Sequence, residues 1–225
     1  MGKVIIQEYT TKEPLQMMGS EAGICWGASV SNPTKNIERA KDCITSGHGR
    51  VMEYPQVYLT LDGYSARVIR EFYTHIGGGP SRLQASTRYI NYEDGFEFVT
   101  PASIGSKEYL RTKYETMMKA IAATMKDLED EGVPREDCAM LLPLGMTTKV
   151  VLRTNFRNLV DMSRQRMCSR AYWEFRQMFK DISKALSDYS DEWKWLVEEC
   201  FMPKCEANGY CTEKKSCGRL INKQK

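Results

Sequence analysis

The sequence predicts a mixed α/β fold, because short strand-like segments are interspersed with longer helical ones along the chain. Strands or extended segments are predicted where apolar, β-branched and aromatic residues cluster or alternate, at residues 4–6, 54–61, 89–99 and 149–152. The longest helical patterns cover residues 106–131 and 155–186. A chain of 225 residues is long enough to bury a core around these elements.

The helices are placed by apolar residues at helical spacing and by the residues that end them. Residues 36–46 and 64–73 are predicted to form two shorter helices. Ser106 is expected to be the N-cap of the long helix over 106–131, and Gly132 is expected to end it.

The segment 155–186 is predicted to be mainly helical and to bury one apolar stripe. A stripe at this spacing is typical of a core or a subunit interface. It consists of Ala171, Phe175, Met178 or Phe179, Ile182 and Leu186.

Two pairs of residues in this segment, each with at least one arginine, are spaced to share a helix face. Arg157 and Asp161 are four residues apart and share a helix face, as do Arg166 and Arg170. Along an unbroken helix the two pairs would point in opposite directions. One interpretation is a solvated helix with salt bridges. The other is a helix at a subunit interface that serves a different site on each side.

Three consecutive glycines, Gly77–Gly79, lead into a segment rich in hydroxyl and guanidinium groups. Without a Cβ, glycine lets backbone N–H groups approach an anion closely. The segment that follows is suited to a phosphate or another oxyanion, through Ser81, Arg82, Ser86 and Arg88. The alternative is a flexible surface loop ahead of a strand.

Composition argues against several classes of protein. The start of the chain has no pattern of a signal peptide, and no apolar run is long enough to cross a bilayer, so a cytosolic protein without membrane contact is expected. A net charge of +3 is too small to indicate a nucleic-acid partner by itself. Nucleic-acid binding through the basic region 153–176 and the cysteine-rich tail is an alternative that the low net charge disfavours.

Half of the eight cysteines lie in the last stretch of the chain, which predicts a domain over residues 1–197 and a cysteine-rich tail over 198–225. Four thiolates could bind a structural Zn²⁺ there, with ligands Cys200, Cys205, Cys211 and Cys217. An iron–sulfur cluster and thiols that are free or disulfide-linked are the alternatives.

Three blocks of the sequence resemble the flavin-dependent thymidylate synthases. The first, from Ser81 to Tyr89, is similar to the second half of the family signature Arg-His-Arg-x-x-Ser-x-Asn-Glu-x-Ser-x-Arg-Tyr. The second runs from Gly132 to Glu136 and on to Leu142-Pro143-Leu144. The third contains Asn155, Arg157, Leu159, Arg166, Ser169, Ala171, Trp173 and Glu174. The resemblance covers roughly residues 40–190.

The resemblance implies a mixed α/β protomer with a central mixed sheet wrapped by long helices, assembled as a homotetramer with FAD at the subunit junctions. It implies the reductive methylation of dUMP to dTMP. Methylenetetrahydrofolate would donate the carbon, and NADPH-reduced FAD would supply the hydride.

The resemblance also implies a set of site residues. Those expected beside or around FAD are Glu53, His75, Asn155, Arg157, Asp161 and Arg170. Those expected to bind dUMP are Glu71, Gln84, Ala85, Ser86, Arg88 and Arg166. Arg166 and Ser86 are the predicted catalytic residues. A fixed guanidinium stabilises charge on the uracil ring, and the Ser86 hydroxyl is expected to donate a hydrogen bond rather than attack.

The chain departs from the signature at several positions. Thr74-His75-Ile76 replaces Arg-His-Arg, and the glycines make the spacing from His75 to Ser81 two residues longer. Glu71 stands where the family has Gln, and Leu83-Gln84 where it has Asn-Glu. The backbone N–H groups of the glycines, with Arg82, are a hypothetical replacement for the lost arginines. The alternatives to thymidylate synthesis are a homologue that acts on another pyrimidine nucleotide and a nucleotide- or flavin-binding protein without turnover.

Overall fold

The structure is a computed structural model that describes residues 2–92 and 94–221. Its strands form one four-stranded sheet in the order β1-β2-β4-β3, in which neighbouring strands run antiparallel. The mixed α/β fold predicted from the sequence is confirmed. The strands are β1 (Lys3–Ile6), β2 (Gln56–Ser65), β3 (Ser81–Gln84) and β4 (Thr147–Asn155).

Helices make up most of the remaining described residues. Short 3₁₀ turns also occur at Gly49–Glu53 and Ala139–Leu141. The α-helices are α1 (Pro14–Cys25), α2 (Pro33–Thr45), α3 (Ala66–Phe72), α4 (Ala102–Gly105), α5 (Glu108–Asp130), α6 (Arg135–Cys138), α7 (Phe156–Arg166), α8 (Trp173–Tyr189), α9 (Asp191–Cys200) and α10 (Lys204–Asn208). No helix in the described part of the chain is both long and apolar enough to cross a membrane.

Helix α1 is not predicted from the sequence, because glycines interrupt it. Gly19 and Gly23 lie inside the helix, where glycine is unfavourable relative to alanine. A Cβ on Gly19 would lie 1.7 Å from the carbonyl oxygen of Asn36 in α2. Glycine at this position therefore permits the backbones of the two helices to touch, and tertiary packing overrides local propensity.

Two of the predicted local features are wrong. Ser106 is not the N-cap of the long helix: it ends the short helix α4, and α5 begins after Lys107. The predicted segment 89–99 forms no strand in its described residues, where turns replace it and Phe98 makes one antiparallel bridge to Met146. Glu93 lies outside the described residues. Gly132, with φ +83°, follows the end of α5 as predicted.

The predicted helix 155–186 is two helices, because α7 ends at Arg166 and α8 begins at Trp173. Arg166 and Arg170 therefore do not share a helix face, and the interpretation of 155–186 as one unbroken helix that serves two opposite sites is wrong. The apolar stripe is confirmed as core from Phe175 onward, since Phe175, Met178, Phe179, Ile182 and Leu186 are fully buried. Ala171 lies outside the helix.

The chain divides into two compact units. Of the described residues, the first contains 2–3, Leu61–Tyr73, 83–92 and 94–150, and its helices are α3 to α6. Its buried residues include Val68, Ile69, Phe72, Met118 and Met125.

Of the described residues, the second unit contains Val4–Thr60, Thr74–Arg82 and 151–221. Its core includes an aromatic cluster in which Phe156 contacts Trp193 and Phe201, with ring centroids 5.5 and 5.7 Å apart. The described part of the predicted tail, 198–221, belongs to this unit, and α9 crosses its proposed start. Residues 222–225 lie outside the described residues, and the boundary at 197 stays a prediction.

Candidate functional site

The guanidinium group of Arg166, at the C-terminal end of α7, is fixed by three neighbours in the second unit. Its Nε donates a hydrogen bond to Nε2 of His75 over 2.8 Å, and Nη2 donates to Oγ1 of Thr74 over 3.4 Å. The guanidinium carbon lies 4.4 Å from the ring centroid of Phe175, which is a cation–π contact. The C-terminal end of a helix also favours a positive charge. A permanent cation is thus held in one orientation.

His75 is the partner that orients Arg166. Its side chain is 7% exposed. Burial first, and then the positive charges of Arg166 and Arg82, lower the pKa of His75 from 6.5 to about 4. The imidazole is therefore neutral near pH 7, and since Nε2 accepts from Arg166, the proton is on Nδ1. The ring also packs edge-on against Phe175, with centroids 5.6 Å apart.

The glycine loop after His75 packs against the first turn of α7. The side-chain oxygen of Asn155 caps this helix by accepting from the backbone N–H of Asn158 over 2.9 Å. A Cβ on Gly78 would lie 2.3 Å from the Nδ2 of Asn155, and one on Gly77 would lie 3.0 Å from Asn158. Gly78 has φ +69°, a conformation that favours glycine. The glycine loop therefore packs closely against the start of α7.

Arginines support the backbone of this loop. Arg153 donates to the carbonyl oxygen of Gly79 over 3.1 Å and to the Ser81 hydroxyl over 3.2 Å. Arg82 donates to the carbonyl oxygen of His75. Arg82 therefore stabilises the backbone of the loop, in addition to its hypothetical role in binding an anion.

Glu53 and Arg157, both predicted beside the flavin, form an ion pair. Nη1 of Arg157 lies 2.6 Å from Oε1 of Glu53, and both side chains are roughly half-exposed. Asp161 lies one turn further along α7 and is exposed. The pair Arg157 and Asp161 therefore shares a helix as predicted, whereas the direct partner of Arg157 comes from the 3₁₀ turn at Gly49–Glu53.

Arg170 lies in the loop 167–172 between α7 and α8, where it forms an ion pair with Glu213 at 3.3 Å. This loop and the cysteine-rich segment enclose a cavity of about 410 Å³, here called the tail cavity. Besides Arg170, it is lined by Arg166 and by the thiols of Cys168, Cys205, Cys211 and Cys217.

The predicted zinc ligands Cys200, Cys205, Cys211 and Cys217 do not all line one cavity in this arrangement. Cys200 is buried at the end of α9 and does not line the tail cavity. Burial, followed by the charge of Glu199, raises the pKa of the Cys200 thiol to about 12, so a thiolate there is costly. Across residues 2–92 and 94–221, no group of three or more His, Cys, Asp or Glu side chains is arranged to hold a metal ion.

Apart from Arg166, the predicted nucleotide-binding residues lie in the first unit. Gln84 donates from Nε2 to the hydroxyl of Thr148 over 3.4 Å, and the N–H of Ala85 donates to the carbonyl oxygen of Lys149 over 2.8 Å. The half-buried Ser86 begins a turn in which its hydroxyl accepts from the N–H of Arg88 over 3.3 Å. The strand pairing thus presents Gln84 to Ser86 in a defined register.

Two of the remaining predicted residues in the first unit form ion pairs. Arg88 contacts Glu136 at 2.9 Å, and both side chains are more than half exposed. Glu71 lies on α3 and contacts Arg67 at 3.6 Å, one helical turn away. Carboxylates therefore neutralise Arg88 and Arg67 in this structure.

Three residues that contact Arg166 or the glycine loop in the second unit are not predicted as site residues from the sequence. Phe175 is predicted only as part of the buried stripe, although its ring also stacks on Arg166. Thr74 is seen only as the replacement for a lost arginine, and Asn158 carries no signal. The spacing from Asn155 to Asn158 is that of a helix N-cap and its bonded N–H, which is the one pattern that could have indicated this contact.

A family model described as thymidylate synthase complementing protein matches residues 6–189 of the chain. Relatives with the name flavin-dependent thymidylate synthase match most of it. The protein from Geobacter sulfurreducens is 34% identical over 179 residues, which cover 75% of each chain. The protein from Pyrococcus furiosus is 28% identical over 234 residues, which cover 95% of this chain and 91% of the relative.

A solved structure has the same fold. The crystal structure of Thymidylate Synthase X (ThyX) from Helicobacter pylori with FAD and dUMP aligns with a TM-score of 0.66 and 16% identity. The alignment covers 89% of this chain and 99% of that one. At this identity the likeness shows the shared architecture.

Proposed function

Because the chain belongs to the thymidylate synthase complementing protein family, we propose that it is a flavin-dependent thymidylate synthase. It methylates dUMP reductively to dTMP, with methylenetetrahydrofolate as the carbon donor and NADPH as the reductant. The related proteins named flavin-dependent thymidylate synthase and the ThyX structure with FAD and dUMP support this reaction.

The observation that carries the proposal is the fixed guanidinium of Arg166. Methylation at uracil C5 moves negative charge around the pyrimidine ring, and a donor already oriented toward that charge stabilises it without reorganisation. Arg166 cannot lose its proton near pH 7, and His75, Thr74 and Phe175 hold its plane. We assign Arg166 to the uracil ring, and His75 acts as a positioning residue for it.

The residues of the second unit fit a flavin nucleotide. Arg157 is half-exposed and oriented by Glu53, so it would contact an anionic or carbonyl group of FAD. His75 presents an Nδ1–H donor, while Asn155, already engaged in capping α7, would contribute through its amide group. Asp161 and Arg170 are exposed and would lie beside the flavin. When bound, FAD supplies the hydride for the methyl group.

The nucleotide contacts are assigned to the segment that follows β3. Ser86 would donate a hydrogen bond to the phosphate or sugar of dUMP, and Gln84 would contact the base edge. To meet a phosphate, Arg88 must leave Glu136 or bind both anions. It can do so because an ion pair between exposed side chains is weak and readily exchanged. In a homotetramer, these residues and Arg166 can come from different protomers. The tetramer and a cytosolic location are parts of the proposal.

One alternative has a specific observation in its favour. Gln84 and Glu71 replace Glu and Gln of the family pattern, and Gln84 Nε2 is bonded to Thr148. An exchanged donor and acceptor would select another base edge, so a different pyrimidine nucleotide is the second candidate substrate.

Spectroscopy of the purified protein, followed by tritium release from labelled dUMP, tests the proposal. A flavoprotein is expected to show a flavin absorbance that NADPH bleaches and that returns when dUMP and methylenetetrahydrofolate are added. Tritium release from the C5 position of dUMP completes the support. Flavin binding without tritium release from dUMP, but with turnover of another pyrimidine nucleotide, supports the alternative. A protein that takes up no FAD contradicts both.

A further inference from the structure

Arg153, near the end of β4, contacts the glycine loop Gly77–Gly79 through one nitrogen of its guanidinium group. Its Nη2 donates to the carbonyl oxygen of Gly79 over 3.1 Å and to the hydroxyl of Ser81 over 3.2 Å. In the described ranges 2–92 and 94–221, Nε and Nη1 donate to no acceptor. One nitrogen thus holds the guanidinium at the loop, and the other two are donors for a further group.

The positive charge of Arg153 is not neutralised by a carboxylate among the residues that the structure describes. Two other arginines of this unit, both assigned to FAD, differ in this respect. Arg157 pairs with Glu53, and Arg170 pairs with Glu213. A guanidinium without an ion-pair partner attracts an anion more strongly than one that already has such a partner.

The sequence suggested Arg82 as the guanidinium that joins the glycines in an anion site, but the contacts of the two arginines favour Arg153. Arg82 donates to the carbonyl oxygen of His75, and its Nε is buried. Arg153 is half-buried and is bonded directly to Gly79. Arg153 is therefore the arginine whose charge lies at the glycines themselves.

The glycine loop adds backbone donors next to this charge. Gly77 and Gly78 are exposed, and their N–H groups have no acceptor within the described part of the chain. The N–H of Gly79, by contrast, donates to the carbonyl oxygen of Ile76 over 3.3 Å. Backbone N–H groups in a glycine turn and a guanidinium are both donors that suit a phosphate group.

We propose that Arg153, together with the N–H groups of Gly77 and Gly78, binds a phosphate group of the substrate nucleotide or of the flavin. This assignment rests on the proposed function, in which dUMP and FAD are both ligands. Nε and Nη1 of Arg153 donate to the phosphate, while Nη2 keeps the carbonyl oxygen of Gly79 engaged. Arg153 therefore determines the preference for a phosphorylated ligand over its counterpart without phosphate.

Equilibrium binding of matched ligands to the purified full-length protein tests the inference without an assay of turnover. The ligand pairs are dUMP with deoxyuridine and FAD with riboflavin, and the second member of each pair has no phosphate. Arg153→Gln keeps an amide donor for the loop but removes the charge. The affinity for dUMP or for FAD should fall by about tenfold or more, because charge-assisted hydrogen bonds are lost.

The comparison within each pair separates phosphate binding from support of the loop. The affinities of Arg153→Gln for deoxyuridine and riboflavin should remain within about twofold of those of the unaltered protein, because neither ligand has a phosphate for the guanidinium to bind. The phosphorylated ligand that loses affinity identifies which phosphate binds at Arg153.

Two further variants serve as controls. Arg153→Lys keeps the charge and should recover most of the affinity that Arg153→Gln loses, since lysine also binds phosphate as a point charge. Lys194→Gln removes a positive charge from the exposed side of α9 in the same unit and should leave all four affinities unchanged.

Equal affinities of Arg153→Gln and the unaltered protein for both dUMP and FAD would overturn the inference. A loss of the same factor for the phosphorylated and unphosphorylated members of a pair would also overturn it, because that result indicates a role in the loop alone. In both cases the proposed function stands, provided that the unaltered protein binds dUMP and FAD. An unaltered protein that binds neither ligand contradicts the inference and the proposed function together.

Discussion

The Nε of Arg166 donates a hydrogen bond to Nε2 of His75 over 2.8 Å. Arginine is a permanent cation and histidine can also carry a positive charge, so the two side chains usually repel each other or compete for acceptors. The bond exists because the buried imidazole is neutral, with a pKa lowered to about 4. An imidazole that does not titrate near neutrality is a permanent acceptor for the guanidinium.

Substitution of His75 is expected to misplace Arg166. His75→Phe keeps the ring beside Phe175 but removes the acceptor, and kcat for tritium release from dUMP should fall by about tenfold or more. His75→Gln can place its amide oxygen near the position of Nε2 and should recover much of this loss. Equal rates for the two variants would contradict the positioning role.

Arg166→Lys tests the need for a planar cation. A lysine can neither stack flat on Phe175 nor keep the bond from Nε, and kcat should fall roughly 10²-fold while FAD content remains. Arg164→Lys, two residues earlier on the exposed face of α7, is the matched control and should retain activity within about twofold of the unaltered enzyme. A similar loss in both variants would argue against a specific role for Arg166.

The stability of the protein should fall as pH is lowered from 6.5 towards 4. Over this interval His75 takes up a proton in the unfolded chain but not in the folded one, so the free energy of unfolding decreases with falling pH. The contribution of this residue is roughly 3 kcal/mol by the low end of the interval. Urea unfolding at several pH values measures it.

The same series on His75→Gln isolates the contribution of the imidazole from that of the carboxylates. The difference in unfolding free energy between the two proteins should change across this interval and stay constant above pH 7. A constant difference at every pH would show that the pKa of His75 is not lowered in the folded protein.

Gly78→Ala should destabilise the protein more than Gly79→Ala. Both glycines have positive φ, at +69° and +60°, so both variants carry a similar backbone cost of about 1 kcal/mol. A Cβ at Gly79 meets nothing within 4 Å, whereas one at Gly78 meets the amide of Asn155 at 2.3 Å. This clash should add roughly 1–3 kcal/mol in chemical denaturation. Equal effects would mean that the loop does not pack on Asn155.

The ion pair of Glu53 with Arg157 should matter for the cofactor rather than for the fold. Glu53→Gln should change the free energy of unfolding by less than about 1 kcal/mol, because both side chains are roughly half-exposed. FAD affinity, measured by fluorescence titration, should fall by roughly three- to tenfold, or about 0.6–1.4 kcal/mol. Glu108→Gln, which breaks the exposed pair with Arg111 on α5, should leave FAD affinity unchanged.

The sequence indicated those elements whose local pattern agrees with their tertiary role. Helices α2 and α3 and the buried stripe of α8 have clear apolar spacing, and they were predicted. Helix α1 was not, because Gly19 serves a backbone contact with Asn36 that no local pattern reveals. The end of α7 at Arg166 could not be predicted either, since residues 167–172 contain neither proline nor glycine.

The candidate site was predicted as residue types and not as contacts. The motif resemblance identified His75, Arg157 and Arg166, but the partner that each one contacts comes from a distant segment. Phe175 beside Arg166 and Glu53 beside Arg157 depend on how α8 and the 3₁₀ turn pack, which spacing alone does not encode. The zinc prediction depended on spacing alone in the same way, and Cys200 lies buried at the end of α9, apart from the lining of the tail cavity.

The packing of Gly78 on Asn155 limits how this chain can be recombined with its relatives. A chimera that receives the shorter signature loop of the family, with its two arginines, would lose the glycine that accommodates the capping amide of α7. The graft would then have to bring its own first helical turn. The loop and the start of α7 are therefore one exchangeable module, and a swap of either alone should yield a misfolded or weakened hybrid.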